Sequence, residues 1–571
     1  MWAASTILLP ISRRAAYTVP MEATELTQLT AFQTEPANYR HWKLSIEGPI
    51  ARLSLSVQDS AEGPEYLLKQ NSYDLSVDIE LRDAVERIRF ESPEVKVLVL
   101  DSAIARVFCA GANIYMLGRS THPFKVNFCK FTNETRMYLE DLAENSGIRT
   151  IAALNGTAAG GGYELALACQ DIYLIDDGNS VVSFPEVPLL AVLPGTGGLT
   201  RLVDKRKVRR DRADIFCTVA EGLKGKRAKQ WGLVDDTFPR SKWDDAITQC
   251  AQAAADSSEK SADWSGTPLT PLALEETDTG LKSRHVNLAF DHEARSAELT
   301  IHGPAADEPV AVADMVAAGS SLWALQAFRE LDRALLHLRM DYPGINIVTL
   351  KTVGESAAVL RVDAALDEHR EHGFVGEVLL HMARVLRRLD LTAKSFYALI
   401  EPGSCFAGSL FELALAADRS YMLDDEDAAN TIALSALNAG SLPMTHGPSR
   451  LEVRFLGEPA RVPELLGQLG ESVDASDAEE GGLVTMSLDD LDYEDEVRLA
   501  IEERASFSPD ALTGMEASLR FPGAENCDSK IFGRLSAWQN WIFQRPNAVG
   551  PKGALTSYGQ PTRPEFDYKR T

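Results

Sequence analysis

The feature that most constrains this chain is an internal repeat of long period. Residues 81–100, LRDAVERIRFESPEVKVLVL, match residues 331–350, LDRALLHLRMDYPGINIVTL, in residue type and order. Residues 163–175, YELALACQDIYLI, match residues 411–423, FELALAADRSYML. The offsets, 331 − 81 and 411 − 163, are 250 and 248 residues. Two motifs that keep one spacing indicate two copies of a domain, because solenoid repeats run only about 20–50 residues. A chain of 571 residues has room for them, at about 150 residues per domain.

Within each copy, short apolar runs alternate with helical patterns. ARLSLSV, VKVLVLDS and TIAALNG have strand character, and LRDAVERIRF has helical spacing. That alternation predicts an α/β layer structure with parallel strands. The expected organisation is an N-terminal extension over 1–25, a first domain over 26–255, a linker over 256–281 rich in Ser, Thr, Pro and acid, a second domain over 282–500, and a helical C-terminal region and tail over 501–571. Residues 1–20 are apolar with two Arg and no acid, and their apolar run is broken by Pro10. They fit an upstream start ahead of Met21 better than a targeting peptide.

Charge narrows the partners. Lys plus Arg is 57 against 83 Asp plus Glu, a net charge of −26. So acidic a surface argues against nucleic acid and anionic membrane as partners. No run of 18 apolar residues offers a membrane-spanning helix. Seven scattered cysteines without a CxxC point to a reducing, cytoplasmic setting. Glu368-His369-Arg370-Glu371-His372 lacks the HExxH spacing and reads as a solvated helix, so no metal is expected.

Two glycine-rich places carry the chemistry. One is Phe108-Cys109-Ala110-Gly111-Ala112-Asn113. The other, Asn155 to Glu164, contains Gly160-Gly161-Gly162 between an apolar strand and the helix YELALAC. Small residues let a ligand touch the backbone there, and free N–H groups at a helix start favour negative charge. Neither GxGxxG nor GxxxxGK[ST] is present. Two acids, Glu164 and Glu186, stand 22 residues apart. Paired acids near an apolar ligand separate in pKa, so that one serves as base and the other as acid.

FCAGANIYML at 108–117, ALNGTAAGGGYELALACQDI at 153–172, FPEVPLLAVLPGTGGLTRLV at 184–203 and AKQWGLVDDTFP at 228–239 together resemble the crotonase (enoyl-CoA hydratase/isomerase) superfamily. The resemblance implies tandem crotonase-like (ClpP/crotonase spiral) α/β domains, the second degenerate, and an acyl-CoA ligand. It places the thioester oxygen on the backbone N–H groups of Ala112 and Gly161, with Ala110, Gly111 and Asn113 against the CoA. It assigns water handling to Glu164 and Glu186, without deciding which is acid and which base. It also puts Cys129 in the helical stretch that lines the acyl pocket, where its thiol is a further catalytic candidate as weak donor or acid/base. Asn113 stands where the family often has Asp, and Tyr115 where it often has Lys for the CoA phosphates. The basic run Lys205 to Arg212, including Arg209 and Arg210, is the alternative phosphate contact.

In the second copy Glu412 aligns with Glu164. Ser409 and Leu410 replace Gly161 and Gly162, and Leu360-Arg361-Val362-Asp363 replaces the Ala-Gly-Ala-Asn motif. This copy is expected to be non-catalytic. The two-copy length and glutamate spacing are similar to the branch of the superfamily that opens the ring of 2,3-epoxybenzoyl-CoA with two waters. That resemblance implies a lyase with no separate cofactor, CoA being part of the substrate, and a homodimer. An ordinary enoyl-CoA hydratase/isomerase and a non-catalytic CoA-binding scaffold are the competing readings.

Overall fold

A computed structural model describes residues 29–57, 70–277, 279–425, 430–523 and 525–571, and the side chains of all of these except Tyr115 and Arg119. The expected extension over 1–25 lies outside the described residues.

The first half contains β1 (Trp42–Glu47), β2 (Ile50–Leu55), β3 (Val97–Ser102), β4 (Arg106–Cys109), β5 (Arg149–Leu154), β6 (Gly156–Ala159), β7 (Asp171–Asp176), β8 (Val182–Ser183) and β9 (Asp236–Pro239). Six form one sheet in the order β1-β2-β3-β5-β7-β9, antiparallel only between β1 and β2. The other three, β4-β6-β8, form a small parallel sheet of their own. β3 and β5 are buried along nearly their whole length, which is why they read as continuous apolar runs. Helix Leu75–Glu91 follows β2 and starts at Asp74, whose side chain accepts from the Ser76 and Val77 N–H groups.

The second half holds β10 (Glu275–Thr277), β11 (Gly280–Lys282), β12 (Val286–Asp291), β13 (Ser296–His302), β14 (Ile347–Val353), β15 (Ser395–Ile400), β16 (Arg419–Asp424) and β17 (Met486–Asp489) in one sheet, in chain order. Pairing is parallel from β13 onward. The register repeats as well. Ile50 pairs with Val97 and Val97 with Arg149, as Ser296 pairs with Ile347 and Ile347 with Ser395.

Between the two sheets, helices Leu75–Glu91 and His122–Glu144 of the first half meet Trp323–Met340 and Gly373–Leu391 of the second. Their shared face is ionic as well as apolar. Glu134 accepts from Arg339 at 2.6 Å and also from Arg388. Asp141 accepts from Arg89 at 2.8 Å and Arg384 at 2.9 Å. Asp332 takes Arg388 at 2.6 Å and Arg82. All these side chains except Arg82 are nearly excluded from solvent, and each charge has a partner of opposite sign, as buried charges require.

Residues 256–281, the expected linker, are bonded to the first half. Lys260 donates to the Val95 carbonyl, the Thr267 N–H to the Phe90 carbonyl and the Leu269 N–H to Glu91. The segment's last residues form β10 and β11, because their backbone groups complete the sheet edge. The boundary at 500 falls inside helix Tyr493–Ser506. Beyond it, Pro509–Leu519, Cys527–Arg534, Pro546–Val549 and Ala554–Ser557 are helical. The end of the tail is anchored by buried Arg570, which donates to Glu516 at 2.6 Å and to the Asn346 carbonyl at 3.0 Å.

Candidate active site

The small sheet brings two backbone amides together. After β4, Gly111 adopts φ +90°. The next residues bridge to Tyr73, whose N–H donates to the Gly111 carbonyl and whose carbonyl accepts from the Asn113 N–H, both at 2.8 Å. In a parallel bridge those two bonds leave the intervening Ala112 N–H pointing away from Tyr73. After β6, Gly160 turns at φ +52° into helix Gly161–Ala168, whose first N–H groups have no partner inside the helix. A Cβ on Gly161 would stand 3.4 Å from the Ala112 nitrogen, and a Cβ on Gly111 would stand 3.1 Å from the Gly161 nitrogen. Among the described residues, nothing accepts a hydrogen bond from either amide.

Two carboxyl groups flank this point, in opposite settings. Glu164, 2% exposed, accepts from the Thr196 N–H at 2.9 Å, the Thr196 hydroxyl at 2.6 Å and the Gly198 N–H at 2.8 Å. Its Oε2 would lie 3.9 Å from a Cβ on Gly161. Three donors aimed at one carboxyl group mark it as an acceptor. Glu186 opens the turn Glu186–Leu190. Burial, reinforced by the neighbouring Glu164 charge against an opposing backbone hydrogen bond, pushes it up to about 7. Its Oε2 is buried without a hydrogen-bond partner. Its Oε1 lies so close over Gly160 that a Cβ there would be 2.3 Å away. Gly160 is therefore required by its backbone angle and by the acid above it.

Cys129 on helix His122–Glu144 completes the wall. Burial first, and the Glu164 charge second, raise its thiol to about 11. At neutral pH it is a neutral thiol, able to donate a weak hydrogen bond but not to act as a base. Its Sγ is 3.4 Å from where a Cβ on Gly195 would stand. The arrangement can hold an oxyanion on two amides, accept a proton at Glu164 and release one from Glu186.

The sequence profile described as enoyl-CoA hydratase/isomerase matches residues 68–266. The benzoyl-CoA-dihydrodiol lyase of Aromatoleum evansii is 52% identical over 546 residues, covering 95% of this chain and 98% of that protein. This chain belongs to the crotonase family. Among solved structures, an enoyl-CoA hydratase from Geobacillus kaustophilus HTA426 is 34% identical over 38% of this chain and 76% of that one, with a TM-score of 0.34. An enoyl-CoA hydratase from Bacillus anthracis is 24% identical over 38% and 76%, with a TM-score of 0.32.

In this crotonase the structure gathers Gly111, Ala112, Gly161, Glu164, Glu186 and Cys129 at one place. Ala110 lies exposed beside them. Asn113 is buried, and its Oδ1 accepts from the Met116 N–H at 3.3 Å. The basic run faces solvent for the most part, with Lys205, Lys207, Arg209 and Arg210 exposed. Lys205 pairs with Glu140, Arg206 with Asp235 and Arg209 with Asp211. Arg210 is exposed at the start of helix Arg210–Thr218. Phe216, six residues on, packs on Phe184 next to Glu186, so the helix carries Arg210 roughly 9 Å away along its axis. Three of the run's six basic side chains pair with the protein's own carboxylates, and Arg212 donates to the Gln230 carbonyl at 3.1 Å. The Tyr115 side chain lies outside those described.

Sequence reasoning missed several residues around the cradle. Thr196 and Gly198 supply all three donors to Glu164. Tyr73, beneath the Ala112 bridge, donates to Asp78 at 2.5 Å, and buried Arg136 reaches both Asp78 at 3.2 Å and the Tyr73 hydroxyl at 3.3 Å. Gly195 to Gly198 lie in a motif that carried the resemblance, so that signal was present. Tyr73, Asp78 and Arg136 have no such mark. No helix among the described residues is long and apolar enough to cross a membrane.

Proposed function

We propose that this crotonase is a carbon–carbon lyase that opens the ring of 2,3-epoxybenzoyl-CoA with two waters, giving 3,4-didehydroadipyl-CoA semialdehyde and formate in aerobic benzoyl-CoA degradation. One observation carries the reading: two unbonded amides, Ala112 and Gly161, converge between an acceptor carboxylate and a proton-bearing acid. The name of the A. evansii relative supports the substrate class.

The thioester oxygen rests on the Ala112 and Gly161 N–H groups. Glu164 takes a proton from the first water, which adds to the epoxide or its oxepin tautomer, while Glu186 protonates the opening oxygen. The bond between the two oxygenated carbons opens and leaves two aldehydes, one beside the thioester. Transfer of the proton from Glu164 to Glu186 through solvent restores both groups, and the second water, deprotonated by Glu164, adds to that formyl carbon. The bond to the thioester α-carbon then breaks, formate leaves, and the electron pair becomes a thioester enolate. The two amides hold that enolate, each such donor contributing about 3–4 kcal/mol, until a proton is returned to the α-carbon. CoA arrives with the substrate, and no redox cofactor takes part. Cys129 is a neutral donor beside Glu164. Ala110, Gly111 and Asn113 frame the thioester, and the solvent-facing Arg209 and Arg210 meet the CoA phosphates.

The second half is a degenerate crotonase-like copy, with the C-terminal helices packed on it. Gly408, at φ +47°, stands where Gly160 stands at +52°. But the Ser409 N–H, in the place of the Gly161 N–H, donates to Asp363 at 2.6 Å. The Ser409 hydroxyl at 2.6 Å and the Ser435 hydroxyl at 2.7 Å hold the same carboxylate. The chain's own side chain fills this cradle. The assembly is a cytoplasmic homodimer. The exposed apolar turn after Glu186, with Leu189 66% and Leu193 64% exposed, supports an association surface.

Formate release from 2,3-epoxybenzoyl-CoA tests the assignment. Glu164→Gln and Glu186→Gln should each lower it by about 10²–10⁴-fold. Near-full release by either variant overturns that residue's role. Hydration of crotonyl-CoA without any formate from the epoxide would make the protein an ordinary hydratase.

A further inference from the structure

We infer that Arg201, gripped by Glu140, is a positioning residue for Glu164. The turn Thr196–Gly198, placed between that arginine and the glutamate, is what separates the working copy from the silent one. The inference deepens the function proposed above and rests on Glu164 being the proton acceptor.

All three hydrogen bonds to Glu164 come from one turn, so whatever holds the turn holds the carboxylate. Arg201 Nη1 donates to the Thr196 carbonyl at 2.8 Å. The guanidinium also packs on Gly197, at φ +84°, where a Cβ would be 2.4 Å from Nη1. Asn133 Nδ2 adds a bond to the Gly195 carbonyl at 3.1 Å. Arg201 is itself locked, because its Nε and Nη2 both donate to Glu140 at 2.8 Å. Such a two-pronged pair fixes the plane of the guanidinium and so the direction of its remaining edge.

The second half contains the same pair in a different setting. Arg450 and Asp390 follow Arg201 and Glu140 by 249 and 250 residues. Arg450 donates to Asp390 at 2.7 and 3.2 Å, repeating the grip. Its remaining edge reaches the Leu442 carbonyl at 3.0 Å and, directly, Glu412 at 2.9 Å. Glu412 is the counterpart of Glu164. In the first half, among the described residues, no guanidinium donates to the glutamate. The Thr196 carbonyl takes the arginine, while the Thr196 N–H and hydroxyl face the acid. The Glu164 carboxyl group is thus held by the turn's neutral donors, whereas Glu412 is bonded by the guanidinium itself. One arginine–acid pair thus bonds the glutamate itself in one half and the turn that aims it in the other.

The test compares the two arginines in the full chain, by kcat, KM and thermal unfolding, with both epoxybenzoyl-CoA and crotonyl-CoA. Arg201→Gln should lose about 10²-fold in kcat, the scale of a small misplacement of a catalytic group, with KM little changed. Arg201→Lys keeps the charge on Glu140 but cannot also span to the Thr196 carbonyl, and should recover part of the rate. Arg450→Gln should lower Tm as Arg201→Gln does and leave kcat alone. An unchanged kcat in Arg201→Gln, or equal kcat losses from the two arginines, overturns the inference. Should Arg201→Gln fail to fold, Arg201→Lys and Glu140→Gln decide it. A kcat loss at unchanged KM supports the clamp, and a wild-type kcat overturns it. If the natural protein releases no formate but hydrates crotonyl-CoA, the proposed substrate falls while the arginine comparison still stands. Turnover of neither ester overturns both.

Discussion

Glu186 shows how one residue's surroundings set its chemistry. A solvated glutamic acid ionises near 4.5, and this one is pushed up to about 7. The folded state therefore binds the proton more tightly than the unfolded state, and the protein loses stability as pH rises from about 4.5 through 7. Glu186→Gln should be more stable than the natural protein at pH 8, by up to about 3 kcal/mol, and should match it below pH 4; urea unfolding at both pH values checks this. Formate release should decline on the alkaline side with an apparent pKa of about 7, as loss of a general acid requires. Gly161 carries the second residue-scale prediction. A branched side chain there would begin 3.4 Å from the Ala112 nitrogen and fill the place proposed for the thioester oxygen. Gly161→Val should cut kcat/KM by about 10²–10³-fold, the cost of losing an oxyanion donor, with Tm nearly kept. The glycines and the two glutamates were legible in the sequence because close backbone approach and paired acids leave residue-type signatures. The protonation of Glu186 was not, since it depends on a buried oxygen that no neighbour in sequence supplies.

At the scale of elements, the long helices were legible from their spacing and from the repeat, but their polar residues were not. In LRDAVERIRF, Glu86 and Arg89 are buried, although a helical pattern alone assigns such charges to solvent. They are buried because the partner helices bring opposite charges from far along the chain. Arg388 and Glu134 are 254 residues apart. Glu134→Ala would leave Arg339 and Arg388 short of a carboxylate inside the helix layer. A loss of about 3–5 kcal/mol is expected, measured by denaturant unfolding and little affected by salt, because the pairs are shielded from it.

For the whole molecule, the proposed reading gives one open cradle, since in the second half the Ser409 N–H is taken by Asp363. Titration with benzoyl-CoA should saturate at one ligand per chain, by calorimetry. Binding of two would mean that Asp363 leaves its cradle. The acidic surface and the arginine-rich interior have a common origin, since many basic groups are spent on pairs between and within the halves while acids remain in excess outside.

The sequence by itself determined the period of the repeat, the alternation of strand and helix, and the glycine-rich turns and two glutamates that the fold brings together. Those features depend on residue type at short range: glycine where the backbone turns to positive φ, apolar runs where strands are covered on both faces. Only the tertiary structure decided that burial raises Glu186, that Asp363 accepts from the Ser409 N–H, and that half of the basic side chains from Lys205 to Arg212 pair with carboxylates. Burial and charge pairing depend on groups brought together from distant parts of the chain, and no local pattern records which of them will meet.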